Sequence, residues 1–565
     1  MTAPADVVTG PRWSRRARSI ALRLALVAPV PLAVGFVAAE LRRAEGPFWL
    51  ATNQDPAYTY LFDSLRVAVG LPPNQVLHPG TTVHLLGAAV LRAQHPDPTR
   101  LASAVLADPE PSLGALHAVL LGTCLAALLA LGWSTLAVTG SPVLAWLAQA
   151  APFLLPGPLL ELAGAKPEPL LLAFGVLVAA LVLRATVPGD DRDPRPVLLG
   201  IALGLATATK FTAIPLLLVP LAVLQTRAAV FRFAAAAVAS FVLGALPAVL
   251  RLPEVAQFLW RSAREPGAYG TGFLRELYGP RLGAMALGSA PLLVAVMLGL
   301  AAAVVLRRRS ARRASRLAFG VVGAQAAAGI LVAIQPYGGA RYLVPVVGLL
   351  GLNLLLVARA FVFDDTGRAR PLPAALGFAA IAALFGQQIR LLPGQSAEFL
   401  RLAGEQQAAA RAARSLGGCA LVEYHKASSV PSALLFGYGR APVDGGMLGL
   451  LQRLYPSALF LDYVESPEAA RHASFRFLPH ESWTHPRFRA FNGGVSLSEV
   501  VAGRSCVIFQ GTSAGPGRLY GSPEFSPRSI PIAGSVEPIY RSSIEALYRV
   551  DVEERPDGPG PRRED

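Results

Sequence analysis

The chain has 565 residues, of which 53% are hydrophobic and only 15% charged, and its mean hydropathy is +0.46. A soluble domain averages about 25% charged residues, so this composition excludes an ordinary soluble protein and predicts a membrane protein with several spans. The net charge of +15 comes almost entirely from arginine, in short clusters between apolar runs. That distribution is typical of membrane topology signals and argues against nucleic-acid binding.

The first apolar run, residues 20–39, follows the basic stretch "RWSRRAR". It is longer than the apolar core of a signal peptide, and further apolar runs follow it. The pattern predicts an uncleaved first helix whose N-terminus is cytoplasmic.

The stretch "NQDPAYTYLFDS", residues 53–64, contains a helix-start signal, because Asp55 precedes a proline. From there a hydrophobic face at helical spacing comprises Tyr58, Leu61, Phe62, Leu65 and Val69. Thr59, Asp63 and Arg66 fall on the opposite face. We predict an amphipathic helix on the membrane surface, with Asp63 as a surface charge paired with Arg66. Asp55 caps the helix and can present its second oxygen to a ligand.

Eleven apolar runs are long enough to cross, or nearly cross, a membrane. They are residues 20–39, 113–138, 142–157, 168–185, 196–210, 211–226, 230–250, 284–306, 317–335, 341–361 and 372–389. A shorter run, 80–91, is predicted to be an interfacial helix, because counting it as a span would put the arginine-rich segment "RRRSARRASR" (307–316) outside. The sequence therefore predicts 11 spans and a long first outer loop, residues 40–112.

The composition changes near residue 396. "SAEFLRLAGEQQAAARAARSLGG" predicts an amphipathic helix. Strand-like runs follow, and these are "CALVEYH", "ALLFGYG", "ALFLDYV", "FRFLP" and "SCVIFQG". Cys419 and Cys506 lie in two of these runs, and the sequence leaves open whether they pair in an oxidising compartment or stay buried as free thiols.

The predicted fold class is therefore mainly α. It is a polytopic membrane protein of about 11 transmembrane helices with a small C-terminal α/β domain outside the membrane. The predicted units are a membrane domain (1–390), an extracytoplasmic domain (391–550) and a disordered tail (551–565).

Four patterns occur in order along residues 20–360. The first is Asp55 followed by "NQVLHPGTT" (74–82), in the first outer loop. The others are "AGAKPEPLLLAFGVLVAALVL" (163–183), "GIALGLATATKFTAIPLLLVPL" (200–221) and "QPYGGARYLVPVVGLL" (335–350). Together they resemble membrane glycosyltransferases of the GT-C class, and most closely the relatives of dolichyl-phosphate-mannose protein mannosyltransferases.

This resemblance implies transfer of a sugar from a polyprenyl-phosphate-linked donor to a hydroxyl of a glycan, lipid or protein on the outer face of the plasma membrane. Asp55 would take the proton of the acceptor hydroxyl. Lys210, Arg341 and Tyr342 would bind the phosphate of the donor. His78, Tyr58 and Glu168 would line the cavity or position the acceptor, with Glu161 as an alternative to Glu168.

Each assignment has a structural alternative. Lys210 could extend toward the interface, Arg341 could anchor a helix at the membrane border, and Glu168 could be an acid favoured by a helix N-terminus. The resemblance also leaves a divalent metal ion open. Many relatives carry two adjacent acidic residues in this loop, whereas Gln54 and Pro56 flank Asp55 here, and one carboxylate binds a divalent ion poorly.

Two other classes of function stay open from the sequence. One is a transporter or flippase for a lipid-linked precursor, which would need a polar path through the membrane centre. The other is a non-catalytic assembly protein of the cell envelope, whose C-terminal domain would bind a partner.

Overall fold

A computed structural model describes residues 15–74, 76, 80–187, 194–251, 253–257, 260, 290–333, 340–363, 371–424, 426–439, 445–465, 483–491, 493–512 and 535–551. The amino-terminal part of the described chain is helical. Its helices are α1 (Arg15–Val27), α2 (Pro29–Glu45), α3 (Gln54–Ala68), α4 (Thr81–Gln94), α5 (Pro98–Ala107), α6 (Pro109–Thr139), α7 (Pro142–Ala150), α8 (Pro156–Glu161), α9 (Glu168–Val182), α10 (Pro196–Thr209), α11 (Leu218–Val223), α12 (Arg227–Ala245), α13 (Ala290–Arg308), α14 (Arg312–Ala333), α15 (Val344–Val347) and α16 (Leu350–Val357). Short 3₁₀ or π turns extend several of them, at Ala151–Leu154, Leu183–Thr186, Phe211–Leu217, Leu246–Arg251, Ala340–Leu343 and Ala358–Val362.

Five helices in the described ranges are long and apolar enough to cross a membrane, and two bent pairs raise the number to seven. The five are Pro109–Thr139, Glu168–Thr186, Arg227–Val249, Ala290–Arg308 and Arg312–Val332. The bent pairs are Ser19–Val27 with Pro29–Glu45, and Arg341–Val347 with Leu350–Val362. The structure thus shows a polytopic, mainly helical protein, but it does not confirm the predicted count of 11 spans.

Most of the difference between the 11 predicted spans and the five to seven candidate spans comes from short apolar runs. Pro142–Leu154, Pro196–Thr209 and Phe211–Val223 are helices of fewer than 18 residues. A helix of 14 residues is about 21 Å long, which is less than the roughly 30 Å of a hydrocarbon core. Hydrophobicity alone therefore does not decide whether these segments cross.

Helix α3 is more deeply buried than the sequence predicts. Asp55 has an extended backbone (φ −100°, ψ 122°), so regular helix begins at the proline after it. Thr59 and Asp63, predicted on the exposed face, are buried, whereas Val69, predicted on the apolar face, is exposed. The predicted surface helix is therefore packed on both sides, against α4 and against the C-terminal part of the chain.

The C-terminal part begins with one long helix. Helix α17 (Pro371–Ser415) has 45 residues, so it combines the predicted span at 372–389 with most of the predicted amphipathic helix. Its length is about 68 Å. The expected domain boundary at residue 390 falls inside this helix.

A mixed seven-stranded sheet follows, in the order β4-β3-β2-β1-β5-β7-β6. Its elements are β1 (Cys419–Tyr424), α18 (Val430–Gly439), α19 (Gly445–Leu454), β2 (Leu459–Glu465), β3 (Trp483–Ala490), β4 (Gly493–Val495), α20 (Leu497–Val501), β5 (Cys506–Thr512), β6 (Val536–Arg541) and β7 (Glu545–Asp551). The predicted α/β class and three of the predicted strands are confirmed. The run "ALLFGYG" is helix α18, not a strand, and "FRFLP" lies outside the described residues, as does the tail beyond Asp551.

Helix α18 packs directly on α3. A Cβ atom added at Gly437 would lie 2.7 Å from the backbone oxygen of Tyr58, so the two helices are in backbone contact. Glycine at position 437 permits this close approach, because a larger side chain would collide with α3.

Strands β1 and β5 are parallel neighbours in which Cys419 and Cys506 are directly paired in register. Their Cα atoms are 4.6 Å apart and their sulfurs form a disulfide, so the structure selects the paired alternative.

Candidate functional site

A buried ion pair joins two of the predicted site residues. Lys210 Nζ donates to Glu168 Oε1 at 2.9 Å, and both side chains are almost fully buried. The Lys210 ammonium also lies 4.7 Å from the centre of the Tyr342 ring, within cation–π range. Lys210 therefore does not extend toward solvent, and Glu168 is more than an acid at a helix end.

The positions of these charges follow from the helices that carry them. Glu168 begins α9, and Lys210 directly follows the last residue of α10, in extended backbone. A helix dipole favours an acid at the N-terminus and a cation at the C-terminus, so each charge suits its own helix. The two helices pack against each other, and this brings the charges together.

Arg341 and Tyr342 complete the group. The Arg341 guanidinium donates to the Tyr342 hydroxyl at 3.4 Å and lies 5.2 Å from the centre of its ring. Tyr342 is buried, whereas Arg341 is exposed. Among the described residues no carboxylate lies within ion-pair distance of the Arg341 guanidinium.

A second ion pair lies on the chain just before Glu168. Lys166 Nζ is 2.5 Å from Glu161 Oε2. The Glu168 and Glu161 carboxylates also attract the Arg341 guanidinium electrostatically. This end of the helix bundle therefore holds carboxylates and cations at high density, which we call the charged cluster (Glu161, Lys166, Glu168, Lys210 and Arg341).

The candidate base, Asp55, faces a residue that sequence reasoning missed. Lys426, in the loop after β1, places its ammonium 3.7 Å from Asp55 Oδ2. The same ammonium lies 4.5 Å from the centre of the Phe436 ring. The C-terminal domain therefore contributes a cation next to Asp55. The only sequence signal was the rarity of lysine, since Lys426 is one of just three in the chain.

The backbone of Lys426 is in the left-handed region, with φ of 54°. This conformation costs a non-glycine residue roughly 1–2 kcal/mol, so surrounding contacts must hold it. Several come from the segment that carries Asp55. Gln54 Nε2 donates to the Ala427 oxygen at 2.7 Å, and the Ala51 amide donates to Ser428 Oγ at 3.1 Å.

The loop is also held from inside the C-terminal domain. Glu545 Oε1 accepts hydrogen bonds from the Ser428 amide and from Gln510 Nε2, both at 2.7 Å. Glu423, at the end of β1, is buried nearby. Burial raises its pKa to about 8; a hydrogen bond with Ser429 opposes the rise, and the nearby Glu545 carboxylate adds to it. Burial also raises the pKa of Glu545.

Tyr60 connects Asp55 with the charged cluster. It lies one helical turn beyond Asp55 on α3 and packs against the apolar cluster that contains Leu170, two residues after Glu168. Gly80, just before α4, lies beside both, because an added Cβ atom there would be 3.3 Å from the Tyr60 ring and its amide donates to the Thr209 oxygen at 3.1 Å. Thr209 directly precedes Lys210, so both groups of charges lie at one end of the bundle.

Other predicted residues have different positions. Tyr58 is fully buried in the apolar core between α3 and the C-terminal domain, and its hydroxyl donates to Glu110 at 3.2 Å. Its side chain is part of the packed core of the described residues. His78 lies outside the described residues.

The prediction for Asp63 was wrong. Asp63 is not a surface charge paired with Arg66, because its side chain is fully buried. It accepts a hydrogen bond from the Asn74 amide at 2.8 Å and lies 3.5 Å from His84 Nε2. Burial lowers the pKa of His84, so the histidine faces Asp63 mainly as a neutral ring. Arg66 instead donates to the Pro72 oxygen.

The described residues contain no group of three or more His, Cys, Asp or Glu side chains that could hold a metal ion. The acids of the charged cluster are instead matched with lysines, so the donor set resembles an ion-pair network.

Comparisons with known proteins find similarity among solved structures. No family model and no curated protein matches the sequence. Among solved structures, the chain is similar to ArnT from Cupriavidus metallidurans bound to undecaprenyl phosphate, with a TM-score of 0.40, 14% identity, and coverage of 94% of this chain and 98% of that one. The apo state of ArnT gives a TM-score of 0.40, 15% identity, and coverage of 95% and 98%. At this level neither likeness carries a conclusion about activity.

Glu423 makes the stability of the C-terminal domain depend on pH. Its pKa is raised in the folded state, so its contribution to the free energy of unfolding is full below pH 4.5 and is lost as pH rises toward 8. In Glu423→Gln, which stays neutral, we expect this loss, roughly 4–5 kcal/mol, to disappear. Chemical unfolding of the purified chain from pH 5 to 8.5 measures the difference.

Glu537→Gln is the matched control, because Glu537 is exposed on β6. It should leave the wild-type pH dependence intact. An equally steep loss of stability in Glu423→Gln would contradict the assignment.

Proposed function

We propose that this chain is an integral-membrane glycosyltransferase that moves a sugar from a polyprenyl-phosphate-linked donor to an acceptor hydroxyl. The observation that carries the proposal is the meeting of Glu168, Lys210, Arg341 and Tyr342 at one end of the bundle. These residues come from three separate sequence patterns, and the same end of the bundle holds Asp55.

In the proposed reaction the acceptor oxygen attacks the anomeric carbon of the sugar. The new carbon–oxygen bond forms as the bond to the phosphate oxygen breaks, and the polyprenyl phosphate leaves with the electron pair. The proton of the hydroxyl passes to the Asp55 carboxylate. Lys426 holds this carboxylate in position in the resting enzyme, with its ammonium 3.7 Å from Asp55 Oδ2.

The leaving phosphate gains charge as the bond breaks, and fixed cations stabilise it. Arg341 suits direct contact, since it is exposed and no carboxylate of the described residues lies within ion-pair distance of it. A guanidinium also binds phosphate oxygens in pairs. Lys210 and Glu168 then act as a rigid charged support that orients the Tyr342 ring beneath Arg341.

The compartment is part of the proposal. The disulfide between Cys419 and Cys506 is typical of an oxidising environment, which supports a C-terminal domain outside the plasma membrane. Asp55 touches that domain, so the reaction would take place on the outer face, with the N-terminus and the arginines of 307–316 in the cytoplasm.

Asp55→Asn should lower turnover by about 100-fold or more, because the amide cannot accept the proton of the acceptor. The assay is transfer of labelled sugar from a polyprenyl-phosphate donor by the purified protein. Asp97→Asn is the matched control: Asp97 is an exposed helix cap in the same outer segment, and asparagine caps equally well. Unchanged turnover in Asp55→Asn would remove Asp55 as the base, and labelled lipid transport in that variant would favour a flippase.

Lys426→Gln should reduce kcat/KM by about tenfold, because Asp55 loses its charged neighbour. Lys426→Arg keeps the charge and should retain more activity than the glutamine variant. Both variants remove the lysine contacts to a similar degree. Their melting temperatures report the effect on packing, and the difference between their kcat/KM values reports the effect of the charge. Equal activity in the two variants would show that the charge is not needed.

Arg341→Gln should raise the KM for the lipid donor about tenfold, and Arg341→Lys should recover part of the loss, because lysine keeps a charge but not the paired donors. Arg100→Gln, at an exposed arginine of the outer segment, is the control. Lys210 and Glu168 are poorer test positions, since removing one partner of a buried pair costs about 3–5 kcal/mol of stability. A KM unchanged in Arg341→Gln would assign the donor phosphate to another group.

A further inference from the structure

A large cavity lies at the opposite end of the helix bundle. Its volume is about 1760 Å³. Helix α9 connects the two regions: Glu168, at its start, belongs to the charged cluster, and Leu183, just after its end, lines the cavity. Fifteen residues of helix separate them by about 22 Å. The cavity is therefore distinct from the proposed catalytic site.

One end of the cavity is strongly basic. Its arginines are Arg309, Arg312, Arg313, Arg316 and Arg359, and no aspartate or glutamate occurs among its described lining residues. No ion pair within the described chain involves Arg312, Arg316 or Arg359. The neutral side-chain amide of Gln225 lies 3.2 Å from the Arg316 guanidinium.

The first turn of α14 adds to the positive electrostatic potential of the arginines. The helix has 22 residues and begins at Arg312, inside the lining. Its unpaired amide groups carry partial positive charge. The N-terminus of α14 and the arginine side chains therefore both favour an anionic group of a ligand.

The rest of the cavity is apolar. Helix α13 lines it with Val294 and Leu298, which are exposed, and α17 contributes Ile381 and Leu384. Val294 is 14 residues from Arg308, or about 21 Å along the helix. That depth exceeds the roughly 15 Å thickness of one leaflet of the hydrocarbon core, so the apolar wall is deep enough for an acyl chain.

We propose that this cavity binds an anionic glycerophospholipid of the bilayer, with its phosphate at the arginines and its acyl chains against α13 and α17. The charge of the cavity complements a phosphate, and its wall complements hydrocarbon. Basic pockets between transmembrane helices bind anionic lipid headgroups by this combination. The proposal does not depend on the glycosyltransferase activity, because the site and its ligand are separate from the reaction.

The test measures lipid binding by the purified full-length chain with native mass spectrometry, using phosphatidylglycerol and phosphatidylcholine of equal chain length. We expect phosphatidylglycerol to bind at least tenfold more tightly. The double variant Arg312→Gln, Arg316→Gln should lose about tenfold in this affinity. The matched control is Arg307→Gln, Arg308→Gln, which removes the same charge from exposed arginines of the same segment outside the lining, and it should bind as the wild type does.

Two further arms distinguish the sources of the anion. Glycerol phosphate without acyl chains should not compete at millimolar concentration, and a polyprenyl phosphate should bind more weakly than phosphatidylglycerol. Competition by the soluble phosphate, or tighter binding of the polyprenyl phosphate, would overturn the assignment. If the double variant does not fold, Leu298→Trp narrows the apolar part and leaves the arginines in place. Undiminished phosphatidylglycerol binding by Leu298→Trp would also contradict the proposal.

Discussion

A charge next to an apolar helix must be neutralised by a specific partner, and the arrangement of the helix bundle depends on this constraint. An uncompensated lysine at the bilayer centre costs about 2.5–3.5 kcal/mol. Lys210 meets the constraint through Glu168 at 2.9 Å and the face of Tyr342. Because the partners sit at the ends of α9 and α10, the ion pair also defines which ends of these helices lie together.

A buried pair of this kind is weak evidence for stability, because desolvation of both charges offsets much of their attraction. A hydrophobic contact would hold α9 against α10 equally well. The surrounding charges favour a functional explanation: Lys166 is paired with Glu161 nearby, and Arg341 remains exposed above Tyr342. Such a density of charge at a helix-bundle end is costly to assemble and suits a charged ligand.

The C-terminal domain is part of the same site. Its loop at 426–428 binds the segment 51–55 through backbone and side-chain hydrogen bonds and brings Lys426 to Asp55. Helix α18 packs closely on α3 beside it. The domain therefore has a structural role in holding the candidate base, and the proposed catalytic chemistry depends on two parts of the chain that are some 370 residues apart in sequence.

The sequence by itself determined the membrane class and the α/β character of the C-terminal part, and it singled out Glu168, Lys210, Arg341 and Tyr342 as candidate site residues. These properties are local, since a hydrophobic run, an alternating pattern or a lysine beside apolar residues can be recognised within a short window. Only the tertiary structure decided that Asp63 is buried, that "ALLFGYG" is helical and that the two cysteines pair. It alone also placed Lys426 beside Asp55. Each of these outcomes depends on contacts between distant segments, and the local pattern of a segment contains no information about which partner will cover it.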